Sequence, residues 1–282
     1  MKRIIMTGTS GFLGHHLFNY LSKDNDVKAL SVRSNNLENI TKEISDFKPE
    51  VFIHVGWAKG NSFNDIHNIE QFENVKIGAK ILEYLSKNKN LHFICFGSFS
   101  EYEENKFSKE IDLECPHSDY GLAKYMFRLI SEVFCNKNSF SWTWLRPCYI
   151  YGENDVETRL IPKVIKSCLK GEDIELNSCD SVIDYLYIED FIKAVSILID
   201  NKELGIFNIC SGQQYIIKDV VNKIKKICNS SSKITFDSSK DRKNFPKYIC
   251  GDNSKLVKSI NWKPKWSLEA GLKKTIETYN EK

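Results

Sequence analysis

The chain has 282 residues, 40 basic and 37 acidic, for a net charge of +3. That length can bury a proper core, as one large domain or two closely joined ones. The charge is too balanced for nucleic-acid binding, although a diffuse lysine excess suits an anionic small substrate. No stretch is apolar for long enough to span a membrane, and the N-terminus enters an apolar run at once, so neither a membrane partner nor a signal peptide is expected.

The first fourteen residues, MKRIIMTGTSGFLG, read as a strand at 4–7, a tight turn and a helix start carrying Leu13, Leu17, Tyr20 and Leu21. Gly8 permits the turn, Gly11 lets backbone approach a phosphate, and Gly14 lets the helix pack closely on the strand. The helix N-terminus behind them would hold a pyrophosphate. The same three-three glycine spacing also fits a turn without a ligand. Further strands are predicted at 27–32, 51–55, 91–96 and 142–145, and helices at 69–86 and 120–134. A third strand between Val32 and Val51 is expected to be short or degenerate. This alternation predicts a parallel sheet with helices on both faces.

Past Tyr151 the alternation loosens. A helix is predicted at 160–169, a strand at 183–188, a helix at 190–199, a strand at 205–210 and a helix at 218–228; an amphipathic helix follows Pro264 and runs to Tyr279. A nucleotide domain comes first, and a smaller, interleaved cap domain second. The nine cysteines form no C-x-x-C pair, and Cys95, Cys148, Cys168 and Cys228 sit inside apolar runs. Cysteine acts there as a small hydrophobe. Free thiols in a reducing cytoplasm are expected rather than a disulfide frame, and no metal site is expected.

The strongest chemical signal is Tyr120-Gly-Leu-Ala-Lys124. Four residues apart on a helix places both side chains on one face. A free tyrosine, with a pKa near 10, is a poor base at neutral pH. An ammonium about 4 Å away is worth roughly 4 kcal/mol at an effective dielectric of 20, or about three pKa units, enough to make Tyr120 a usable proton donor and acceptor. Tyrosine and lysine also meet on helices by accident. Upstream, just past a strand, lies Ser98 in Phe96-Gly-Ser-Phe-Ser-Glu-Tyr102. A strand end in a parallel sheet opens into the ligand crevice, so Ser98 could hydrogen-bond a carbonyl oxygen while Tyr120 protonates it. A serine starting a turn gives the same sequence.

These residues carry a resemblance to the extended short-chain dehydrogenase/reductase family, in its nucleotide-sugar branch, over nearly the whole chain. The family's TGxxGFxG appears as Thr7-Gly-Thr-Ser-Gly-Phe-Leu-Gly14, and its Ser, Tyr, Lys triad as Ser98, Tyr120 and Lys124. Its Arg-Pro falls on Arg146-Pro147, followed by Tyr151-Gly152; its strand-to-helix segment falls on Asp184-Tyr-Leu-Tyr-Ile-Glu-Asp190 and its late Asn on Asn208. Its C-terminal signature is matched by Asp252-Asn-Ser-Lys255, Asn261-Trp-Lys-Pro264 and Ser267-Leu-Glu-Ala-Gly-Leu272. The resemblance implies an α/β fold: a Rossmann-like doubly wound parallel sheet, residues 1–152 plus about 182–212, with a smaller, interleaved nucleotide-sugar-binding domain, about 153–181 plus 213–282. Tyr120 would be the acid/base, Ser98 would polarise the carbonyl, and Lys124 would also grip the nicotinamide ribose. Cofactor contacts would fall on Gly8, Ser10, Gly11, Phe12, Leu13, Gly14, Gly56 and Pro147. His54-Val-Gly56 resembles the family's HxA segment, whose backbone lies along the cofactor; His54 equally fits a strand-end histidine with no ligand.

An acid at the end of strand 27–32 is expected for NAD. Ser31-Val-Arg33-Ser34 has none, and the planar fork of Arg33 suits a 2′-phosphate, so NADP(H) is predicted. Around Ser98, sugar dehydratases of the family resemble Thr-Asp-Glu, whereas this chain has Ser98, Phe99 and Ser100. Enzymes of the GDP-fucose synthase type use a cysteine where Ser100 stands. Simple carbonyl chemistry is left. The expected reaction is NADPH-dependent reduction of the C4 ketone of a nucleotide-activated 4-keto-6-deoxy-hexose, supplying surface polysaccharides; a 4-epimerase with tightly held NAD and a non-catalytic NADP sensor are the alternatives. The family often has an arginine before the Asp184 position, where this chain has Ile183, so Arg242 or Lys247 is expected to supply the charge for the diphosphate. Trp57 and Tyr149 are expected to line the sugar pocket with Ser98, Phe99 and Ser100. Relatives pair through the helices at 69–86 and 120–134, so a cytoplasmic homodimer is expected.

Overall fold

The structure, a computed structural model, describes residues 1–31, 37–58, 67–88, 90–104, 106–242 and 245–280. Its first half runs β1 (Arg3–Thr7), α1 (Phe12–Leu21), β2 (Asp26–Leu30), α2 (Leu37–Phe47), β3 (Val51–His54), α3 (Gln71–Leu85), β4 (His92–Phe96), a 3₁₀ turn (Phe99–Glu101), β5 (Phe107–Ser108), α4 (Asp119–Lys137), β6 (Ser141–Pro147) and β7 (Tyr149–Tyr151). There follow α5 (Leu160–Lys170), β8 (Ile174–Leu176), β9 (Val182–Ile183), β10 (Tyr185–Tyr187), α6 (Ile188–Asn201), β11 (Gly205–Ile209), β12 (Tyr215–Ile216), α7 (Ile217–Ile227), β13 (Ile234–Phe236), β14 (Tyr248–Gly251), α8 (Ser254–Ile260) and α9 (Leu268–Asn280).

The central sheet has the order β11-β6-β4-β3-β1-β2, parallel throughout. Its inner strands read as unbroken apolar runs because helices cover both faces. Alternation along β1 decides which layer each residue joins: Ile4 and Met6 pack toward α1 and α6, Ile5 toward α2, α3 and α4. The chain leaves β1 for β2 on one side and resumes with β3 on the other. The carboxyl ends of β1 and β3 are therefore the switch point, where an open α/β sheet leaves a crevice for ligands. Shorter strands join into a sheet ordered β12-β9-β14-β5 and the pairs β10-β7 and β13-β8.

Two expectations need correction. Between β2 and β3 the described chain forms no third strand; it folds into α2, whose Ile40 and Ile44 are buried against the sheet. Spacings of four and three through Ile40, Ile44 and Phe47 make a helical face, which a search for a strand overlooks. The single strand expected at 183–188 is split. Asp184 is fully buried and accepts hydrogen bonds from the Ser211 and Gly212 amides (2.8 and 2.7 Å) and the Ser211 hydroxyl (2.7 Å). The chain changes partner there, with β9 on β12 and β14, and β10 on β7.

Candidate active site

A cleft of about 1200 Å³ opens across the carboxyl ends of β1, β3, β4 and β6 and is closed on its far side by residues from β7 to β14. Single-ligand pockets run roughly 300–1,000 Å³, so the volume suits two ligands side by side. At its floor the chain turns at Gly8, whose φ of +74° is costly for any residue with a side chain. A Cβ on Gly8 would lie 2.4 Å from the Gly56 nitrogen, and one on Gly14 would lie 2.1 Å from the Gly8 carbonyl oxygen. The turn is thus pressed onto both the end of β3 and α1. Gly11 caps α1 without a side chain, leaving room for an anion at that N-terminus.

Thr7 ties the two strand ends together. Its hydroxyl accepts from the Gly56 amide (3.3 Å) and shares a 2.7 Å hydrogen bond with His54 Nδ1. Burial, with Lys124 nearby, pulls the His54 imidazole down to about 3, so it is neutral at ordinary pH. Gly56 is on the cleft wall and His54 is not, being 2% exposed. The predicted HxA-like contact therefore reduces to the backbone after His54. Ser10, Phe12, Leu13, Gly11 and Pro147 all line the cleft. Arg33 lies outside the described residues.

Ser98 follows β4, and Tyr120 stands in the first turn of α4, whose N-cap Ser118 accepts from the Gly121 amide at 3.1 Å. Both line the cleft with Phe99, Ser100, Trp57 and Tyr149. The Ser98 hydroxyl, which donates to the Ser100 hydroxyl at 3.2 Å, also sits by the Tyr120 phenol and favours its ionised form. Burial pushes that phenol up to about 12, Ser98 only partly offsetting it. The expected lowering of Tyr120 by Lys124 does not occur. Lys124 is 3% exposed and off the cleft wall; its Nζ donates to the Phe96 carbonyl oxygen (2.5 Å) and lies 3.8 Å from the centroid of the Trp57 ring. Spacing of four residues brought the two side chains to one face, but the ammonium bends under the phenol ring toward the end of β4. Burial pulls Lys124 itself down to about 8.

Two residues of the site were not singled out from the sequence. Glu101, fully buried, closes the Ser98 turn: one oxygen accepts from the Ser98 amide (2.7 Å), the other from Arg146 Nε (2.9 Å), and both from the Trp144 indole (3.1 Å). Arg146 also reaches Glu114 at 2.7 Å. Ser98-Phe-Ser-Glu101 has the spacing of a capping box, the signal that could have found it. Arg159, on the cleft wall before α5, is fixed by Asp155 (3.0 Å) and the Ile150 carbonyl (3.2 Å). Its charge and that of Arg242 both bear on Tyr149. Arg242 is on the wall and Lys247 is not.

Residues 4–210 match the NAD dependent epimerase/dehydratase family. The chain belongs to that family. As the motifs predict, it is an extended short-chain dehydrogenase/reductase with a Rossmann-like fold. Among relatives, the CDP-abequose synthase of Salmonella muenchen is 26% identical over 297 residues, covering 98% of this chain and 97% of that one. The GDP-6-deoxy-D-mannose reductase of Pseudomonas aeruginosa is 20% identical, covering 100% and 98%. The crystal structure of the UDP-glucose 4-epimerase of Thermotoga maritima, with UDP-glucose, superimposes with a TM-score of 0.90 at 23% identity, covering 99% and 98%. Proteins named for such different reactions resemble this chain over nearly its whole length, so the fold alone does not say which reaction it performs.

Proposed function

We propose that this protein reduces the C4 ketone of a nucleotide-activated 4-keto-6-deoxy-hexose with NADPH, in the making of surface polysaccharide sugars. The observation that carries the reading is the Ser98–Tyr120 pair on the cleft floor, with its phenol held protonated at neutral pH and flanked by Phe99 and Ser100. A protonated phenol suits a ketone that must gain a proton, and neither Phe99 nor Ser100 can act as the acid or base of an elimination. The names of two full-length relatives, a CDP-abequose synthase and a GDP-6-deoxy-D-mannose reductase, support the substrate class.

The glycine cradle, with no room for a Cβ at Gly8 or Gly14, fits a dinucleotide pyrophosphate against α1. Bound NADPH would supply the hydride. The Ser98 hydroxyl donates to the ketone oxygen, and Tyr120 gives its proton as negative charge builds there. Lys124 lies on the same face of α4, its ammonium 5.8 Å from the centroid of the Tyr120 ring. Arg159 and Arg242 on the opposite wall would bind the diphosphate. The preference for NADPH rests on Arg33 and on the absence of an acid from Ala29, Leu30 and Ser31, the end of β2 that lines the cleft. In the two-part division, residues 1–152 with 182–212 hold the cofactor and the remainder holds the nucleotide sugar. Dimerisation is supported by Leu122, Met126, Leu129, Ile130 and Val133, which are exposed along one side of α4; a monomer in sedimentation would remove it.

The test follows NADPH absorbance during incubation with CDP-, dTDP-, GDP- and UDP-activated 4-keto-6-deoxy-hexoses. Stoichiometric loss with one of them is expected. Intact NADPH throughout, together with inversion of an ordinary nucleotide hexose detected by NMR, would replace the reductase by an epimerase.

A further inference from the structure

Trp57 stands between the cleft and Lys124. Its ring is on the cleft wall, and the Lys124 ammonium, itself off the wall, lies 3.8 Å from the ring centroid. The same ring meets Tyr120 edge to face, with centroids 6.4 Å apart and planes at 89°. The indole is pinned in turn: its N–H donates to the Oε1 of Gln71, a fully buried side chain at the start of α3, at 2.8 Å. The next residue is fixed too, since Asn74 holds both the amide and the carbonyl of Ala58 (2.8 and 3.1 Å).

We propose that Trp57 is a positioning residue of the Tyr120–Lys124 pair, its indole face fixing where the Lys124 ammonium sits. The proposal rests on the reading of Tyr120 as proton donor. A lysine side chain is long and flexible, and one carbonyl contact, to Phe96, does not determine where its charge sits. An aromatic face at this distance, shielded from water, attracts a cation strongly. Burial works the other way and pulls Lys124 down to about 8, with Cys95 and Glu101 opposing. Glu101 is already engaged with Arg146, Ser98 and Trp144, and His54 from β3 is neutral. From the cleft side the ammonium meets the indole face at 3.8 Å and, farther off, the Tyr120 ring at 5.8 Å, so the indole is the nearer attraction.

The test compares Trp57→Phe, which keeps an aromatic face, with Trp57→Leu, which does not. Turnover is measured at saturating substrate and NADPH. In parallel, protein labelled with ¹³C at the lysine ε-carbons is studied by NMR, the Lys124 resonance being assigned by its loss in Lys124→Met. A lysine ε-carbon over an indole carries protons shifted upfield by the ring current. The wild type is expected to give one such displaced resonance, partly retained in Trp57→Phe and lost in Trp57→Leu. Trp57→Leu is expected to lower kcat about 30-fold, with Trp57→Phe within about fivefold of wild type and the substrate KM little changed. An undisplaced Lys124 resonance in the wild type overturns the proposal. So does a Trp57→Leu defect confined to KM, which would make Trp57 a wall of the sugar pocket. If no keto-sugar is turned over, the reductase reading fails, and the Lys124 resonance and its restoration by phenylalanine decide this proposal by themselves.

Discussion

Arg146→Met should destabilise the protein severely. Arg146 and Glu101 are both fully buried and 2.9 Å apart. Removing the guanidinium leaves a buried carboxylate with only the Ser98 amide and the Trp144 indole for partners. Glu114 loses less, because it keeps Arg128 at 3.3 Å. Breaking one side of such a pair costs about 3–5 kcal/mol. At about 2–4 °C per kcal/mol for a chain of this size, the melting temperature should fall by roughly 6–20 °C in scanning calorimetry. The double variant Glu101→Leu/Arg146→Met replaces the pair by apolar groups of similar volume, which is often close to neutral. It still leaves the Ser98 amide and the buried Trp144 indole N–H without their acceptor, at about 1–3 kcal/mol each. The double variant should therefore recover part of the melting temperature but not kcat, since the turn carrying Ser98 is no longer tied down. Two results refute the reasoning: a double variant no more stable than Arg146→Met, or one with wild-type turnover of NADPH.

Tyr120→Phe should keep NADPH binding in calorimetric titration and lose nearly all turnover; unchanged turnover would remove Tyr120 from the chemistry, and a wild type equally inactive would favour the cofactor sensor. Arg33→Ala should weaken NADPH far more than NADH, and equal losses, or a wild type preferring NADH in paired KM measurements, would leave NADP(H) without support. Burial pulls His54 down to about 3 and His92 down to about 4. Both are depressed in the folded state, so their contribution is full above an unfolded pKa near 6.5 and is lost as the pH falls toward 4 and 3. With two protons taken up on unfolding, the two histidines should lower stability to urea by about 3–4 kcal/mol between pH 7 and pH 5, opposed by about 1 kcal/mol from buried Asp184, which burial raises to about 6. His92→Asn should remove about half of the histidine contribution, and a pH slope parallel to wild type would exclude His92.

The parallel sheet was legible because its strands are buried on both faces and read as apolar runs between helical periods. The glycine turn was legible because backbone contacts as close as that of Gly14 with Gly8 admit no side chain. What escaped reading depended on pairings across the chain. Asp184 looks like an ordinary strand residue until Ser211 and Gly212 arrive to bind it. The direction of the Lys124 ammonium depends on Phe96 and Trp57, far from it in sequence. Helical spacing gave the face that Lys124 shares with Tyr120, and the torsions of a long side chain decided the rest.

Glu101 bears on the reaction most directly. It stands three residues after Ser98, and by residue type alone it could be the carboxylate that an elimination needs. Its geometry removes it from that role. Both oxygens are occupied, by the Ser98 amide, the Trp144 indole and Arg146, and the side chain is sealed from the cleft. The contacts that make Glu101 a good anchor for the Ser98 turn also make it unable to act as a base. With Phe99 and Ser100 beside them, Ser98 and Tyr120 are left to act on a carbonyl oxygen, the chemistry of the proposed ketone reduction.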